Sequence, residues 1–177
     1  MIDMPLARIG PGRLRRVAVP ALVLYALALL PFVLVGEPNE MIRLQLAGSV
    51  SKAHDIVSSW SNAATVDMAF LQGVDELHPL VYGLLLALGA IWAGRRLAGR
   101  GARWAPFVAW LALTAGAFDL LENVGMVVMI RGDVEAPWPT VTTAFAIVKF
   151  SLIVVAVVYL IAGLVAGRHR EGASAPS

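Results

Sequence analysis

The sequence contains no cysteine, which excludes disulfides, thiolate metal sites and a cysteine nucleophile. Its three histidines, His54, His78 and His169, are too far apart to form an HxH or HxxxH pair, so local spacing supplies no zinc site. Neither a GxGxxG turn, a P-loop nor a GxSxG elbow is present. No cofactor and no metal is implied. Charge is scarce too: 15% of residues are charged, against about 25% in globular proteins. The formal net charge of +2 is too small to point to nucleic acid as a partner.

What the chain has instead is apolar surface. Hydrophobic residues make up 59% of the 177 positions, above the roughly 45–50% of soluble domains. A domain of this size has no interior large enough for them, so the missing solvent is lipid. Val17 to Val35 runs without a charge, broken only by Pro20 and Pro31. A second apolar run ends at Gly94, before Arg95 and Arg96, and a third carries Asp119, Glu122 and Asn123. The fourth, Val141 to Gly167, carries only Lys149. A helix needs about 20 residues to cross the hydrocarbon core, and each run supplies them. The expectation is an all-α integral membrane four-helix bundle with spans near 17–36, 78–96, 106–130 and 141–166. A basic segment, 1–16, precedes it and a disordered tail, 168–177, follows.

The basic residues set a direction. Arg8, Arg13, Arg15 and Arg16 precede the first span, Arg95, Arg96, Arg100 and Arg103 follow the second, and Arg168 and Arg170 follow the fourth. The opposite side holds Arg43, Lys52 and Arg131 beside Glu37, Glu40, Asp55, Asp67, Asp75, Glu76, Asp133 and Glu135. By the bias of Lys and Arg, both termini lie in the cytoplasm of a cell with this protein in its inner (plasma) membrane. The basic start could also be a signal peptide with Ala26-Leu27-Ala28 as its small-residue site. The length of the apolar run suits a retained anchor better.

The loop 37–77 is too long for a plain connection. In it Ile42, Leu46, Val50, Ala53, Val57 and Trp60 recur at spacings of three and four, with Arg43, Gln45, Ser51, Lys52, His54, Asp55 and Ser58 on the other face. This predicts an extracytoplasmic amphipathic helix between the first two spans. It lies along the membrane with Trp60 at headgroup level, or caps the bundle. Ser61 and Asn62 offer a break and a new N-cap, and Pro79 a kink.

The charges inside the spans carry the functional information. Asp119, Glu122 and Asn123 share one helix face, and Ala112, Ala115 and Gly116 continue it. Small residues let a neighbour approach closely, so this face should look at protein. At 1.5 Å per residue, Asp119 lies about 16 Å and Glu122 about 12 Å from the end of the third span. Lys149 lies about 12 Å into the fourth from the same side. A charge alone at mid-bilayer costs about 2.5–3.5 kcal/mol, and pairing lowers that cost, so a contact between Lys149 and a carboxylate is expected. Asp75, His78 and Tyr82, again three and four apart, would roof the same cluster. Asp119, Glu122 and Lys149 sum to −1 if all are ionised. A shared proton, protonated His78, Arg131, a bound ion or a cationic ligand would complete the site.

Trp60, then Asp75-x-x-x-Pro79-x-x-Tyr82-Gly83, then Asp119-x-x-Glu122-Asn123 and the lone Lys149 resemble an uncharacterised group of small four-span bacterial membrane proteins. His78 departs from that pattern, which carries an apolar residue there. In plan alone the chain is similar to the emopamil-binding (EXPERA) proteins. These place acidic, His and Asn residues inside a four-helix domain to bind or isomerise sterol-like ligands. The readings that follow are binding or transport of a small apolar, cationic or lipid ligand, a structural polar network in a membrane assembly, or an enzyme with Asp119 or Glu122 as acid/base. Membrane lipids, such a ligand, and further copies or other subunits are the partners expected.

Overall fold

The computed structural model describes residues 4–35 and 38–173, all helix and connecting turns with no strand among them. After a single 3₁₀ turn at Pro5–Arg8 come α1 (Pro11–Val35), α2 (Pro38–Gln45), α3 (Val50–Ser58) and α4 (Asn62–Asp75). The chain continues through α5 (His78–Arg96), α6 (Arg100–Arg103), α7 (Ala105–Ile130) and α8 (Trp138–Ala173). Four stretches are long and apolar enough to cross a membrane: Pro11–Val35, Asn62–Arg96, Ala105–Ile130 and Trp138–Gly167. The protein is a multi-pass helical bundle.

Helices α5, α7 and α8 form its centre, with α1 against α4 and α5 at the side. Close approach explains the centre. A Cβ on Gly116 would lie 2.6 Å from the carbonyl oxygen of Pro79, and one on Gly83 would lie 3.4 Å from that of Ala112. Only glycine lets α5 and α7 meet backbone to backbone here. Ala109, Ala112 and Ala115 are fully buried along the same seam. By contrast, α1 buries little besides Leu14 and Ala28.

Several boundaries differ from those expected. Helix α1 begins at Pro11, so part of the basic segment is helical; residues 1–3 and Glu37 lie outside the described residues. Helix α8 starts at Trp138 and continues to Ala173. The tail expected to be disordered from 168 is therefore helical to that point, and residues 174–177 lie outside the described residues. No proline interrupts the chain between Val141 and Ala173. The second span is divided as expected. Ser61 caps α4 by accepting from the Ala64 amide at 3.2 Å. The break falls at Glu76–Leu77, because Pro79 has no N–H to return to the Asp75 carbonyl.

The amphipathic helix is corrected most. It is two helices, interrupted at Gly48, whose φ of +70° suits glycine. The Gly48 amide donates to Thr143 Oγ1 at 2.9 Å, and that hydroxyl donates to the Gln45 carbonyl at 2.8 Å. The break rotates the buried face. Ile42, Leu46 and Val50 are exposed, whereas Met41, Leu44, Gln45, Ala47, Ala53 and Ile56 are buried. All of these but Gln45 cluster with Met126, Met129 and Ile130, so α2 and α3 cap the acidic end of the bundle. Trp60 is fastened there: its indole N–H donates to Glu40 Oε2 at 3.1 Å.

A buried ion cluster beside a lateral cavity

Asp119, Glu122 and Asn123 project from the protein-facing side of α7 and are 4%, 1% and 1% exposed. The stripe of alanine and glycine before them turns that side inward, as the spacing predicts. Lys149 reaches across from α8 and is also buried. Its Nζ is 2.6 Å from Asp119 Oδ1 and 2.7 Å from Glu122 Oε2. It also donates to Gln45 Oε1 at 3.3 Å. The contact with Glu122 is an ion pair whose angle does not suit a hydrogen bond. The ammonium, with three donors and no acceptor, thus faces three oxygens from two helices, α2 and α7.

The second oxygen of Asp119 is held as well. Tyr82 on α5 donates to Oδ2 at 2.8 Å, and its hydroxyl lies 3.4 Å from the Ala115 carbonyl. Asp119 thus joins α5, α7 and α8. Nearby, His78 Nδ1 and Asp75 Oδ1 are 2.9 Å apart. The His78 ring lies against two aromatic rings of α1, Tyr25 at 5.5 Å and Phe32 at 5.0 Å between centroids. With Lys149 charged and both α7 carboxylates ionised, the inner cluster carries −1, and Asp75 adds to it.

One side of this cluster is open. A cavity of about 640 Å³ lies between α1 and α8 beneath α2. Its walls are Leu22, Leu29, Phe32, Met41, Leu86, Phe150 and Ile153, and its polar surface is Gln45, Asp75, His78, Tyr82, Asp119 and Lys149. The cavity is mostly apolar with a few convergent polar groups, the usual form of a small-molecule site. Asp75, His78 and Tyr82, expected to roof the cluster, all face the cavity together with Asp119 and Lys149. Glu122 does not; it backs Lys149 from the closed side. Asn123 also stands apart, beside Glu76, which approaches Gln72 too. Arg131, a candidate counter-cation, is exposed beyond the end of α7.

Two residues of the site escape the sequence reading. Gln45 belongs to the polar face of a continuous helix and turns inward only because Gly48 breaks that helix. Tyr25 sits in an uncharged span with nothing in the sequence to align it with His78. No protein-family model, no curated protein and no solved structure matches this chain.

Proposed function

We propose that this protein binds, and in binding moves or presents, a small amphiphile with an apolar body and a cationic or hydrogen-donating head. The observation that supports this reading is the cavity: apolar walls end on Asp119, Asp75 and Tyr82. Negative charge there exceeds the one lysine by formal count, so a cationic head would complete the balance. The ligand would enter sideways between α1 and α8. Those walls carry exposed apolar residues such as Leu29 and Phe150. The ten basic residues of the arginine-rich end argue for a bacterial inner membrane with both termini in the cytoplasm. In that orientation the cavity opens in the outer half of the bilayer, and α2 and α3 lie at the outer surface.

One observation favours the plainer reading, a structural network. Lys149 is enclosed by three oxygens and Glu122 is sealed behind it. The enzyme reading has less support, because of the two proposed acid/base residues only Asp119 reaches the cavity. Binding of a radiolabelled hydrophobic tertiary amine to the purified protein separates these readings. Saturable binding should be lost in Leu29→Trp, which fills the cavity, and in Asp119→Asn. An uncharged analogue of the amine should bind more weakly. Equal binding to wild type and Leu29→Trp would leave only the structural network.

A further inference from the structure

Helices α1 and α5 each turn one unbroken face to the hollow between them. On α1, Arg15, Ala18, Leu22, Tyr25 and Leu29 recur at spacings of three and four. On α5, so do His78, Tyr82, Leu85, Gly89 and Trp92. Such spacing puts each set on one side of its helix, and every one of these residues lines a cavity. The first cavity is the one beside the ion cluster. The second, of about 600 Å³, continues along the same seam. Leu85 lines both, and on α1 Leu22 of the first stands about one helical turn from Ala18 of the second. The two hollows thus belong to one seam, with a single leucine of α5 between them.

The seam changes character along its length. At one end the Tyr82 hydroxyl donates to Asp119 Oδ2 at 2.8 Å. From Tyr82 to Trp92 the distance along α5 is roughly 15 Å at 1.5 Å per residue. Over that stretch α5 lines the seam with Leu85, Leu86, Leu88 and Gly89, and α1 faces them with Ala18 and Leu22. None of these side chains can make a hydrogen bond. A head held at Asp119 reaches none of these walls, whereas an alkyl chain attached to it does. Pro20, between Ala18 and Leu22, has no N–H for the Arg16 carbonyl, so α1 is least braced where such a chain passes Leu85.

We infer that the ligand of the cluster is a long-chain amphiphile whose alkyl chain passes Leu85 and ends beside Trp92. This rests on the binding role proposed above, and it adds the length of the apolar body and its course.

The test uses the full chain in neutral-detergent micelles, with Trp92 kept and the other tryptophans replaced by Phe. The probes are N,N-dimethyl alkylamines of butyl and dodecyl length, with a bromine on the terminal carbon to quench a tryptophan that it touches. Radiolabelled amines of both lengths report binding itself. The dodecyl probe should quench Trp92 saturably, excess unbrominated amine should reverse this, and the butyl probe should leave Trp92 unchanged. Asp119→Asn should lose the saturable quenching together with the binding. Ala18→Phe, which fills the second cavity, should lose the quenching and keep binding of the butyl amine. Saturable binding of the dodecyl amine with Trp92 unquenched would send the chain out into lipid, overturning this inference and leaving the site by the cluster. Quenching that survives Asp119→Asn would overturn it too, since the chain would then enter without its head. No saturable binding of either amine would remove the site itself.

Discussion

Helices α1 and α7 are nearly the same length, 25 and 26 residues, yet 6% of the apolar window of one is buried and 50% of the other. The more apolar helix is the more exposed. In water the reverse would hold, but lipid tails are as apolar as leucine, so hydrophobicity brings a helix into the membrane without fixing it to its neighbours. Attachment comes from what α1 lacks. Helix α7 has a line of alanine and glycine that admits another backbone, and carboxylates that need a cation. Helix α1 offers Leu14 and Ala28 and rests against α5 across two cavities.

The largest test of that contrast removes the cation. Replacing Lys149 with Met leaves Asp119 and Glu122 side by side in an apolar site. Breaking a buried pair costs about 3–5 kcal/mol. Unfolding of Lys149→Met in mixed micelles should show a loss of that order. Adding Asp119→Asn or Glu122→Gln should restore part of it, and a double-mutant cycle measures the coupling. The larger restoration marks the carboxylate that Lys149 compensates more. A Lys149→Met protein as stable as wild type would mean that charge does not hold α7 to α8.

The next test concerns shape. In Gly116→Leu a side chain must enter the space of the Pro79 carbonyl, and overpacking of this kind costs about 1–3 kcal/mol. Leu34→Ala on α1, where Leu34 is 80% exposed, should stay within about 0.5 kcal/mol. Denaturation of the two variants in the same micelles compares them directly. Equal losses would show that α1 is held by contacts as firmly as α7.

The smallest effect lies outside the spans. The Trp60 indole N–H, and Arg43 at 2.5 Å, hold the Glu40 carboxyl below the usual carboxylate range. A depressed folded value stabilises above the unfolded range and is lost as pH falls through the folded one. Trp60 fluorescence, isolated by replacing the other tryptophans, should change only below the usual carboxylate range. Glu40→Gln should abolish that transition and leave the core spans intact. A Trp60 signal that tracks global unfolding would merge the cap with the bundle.

Much of the interior was legible because transmembrane charges have few places to go. Asp119, Glu122 and Lys149 could be matched by helical rise, and the structure joins all three. The cap was not legible in the same way. Its periodicity runs through Gly48 as if the helix continued, and the residues that satisfy the backbone break, Thr140 and Thr143, lie almost a hundred positions away. The cavity was invisible for a related reason. It exists because α1 stands off from α8, and an absence of attachment leaves no pattern in the sequence.

The ion pair also bears on how the chain is made. Lys149 and its two carboxylates sit on consecutive helices, separated only by the short turn from Arg131 to Pro137. Each helix alone would carry an unneutralised charge into hydrocarbon. Released together as a hairpin, the two would cancel most of that charge before either meets lipid. Helices α7 and α8 would then enter the membrane as one unit, with the lysine as the latch that closes once α8 arrives.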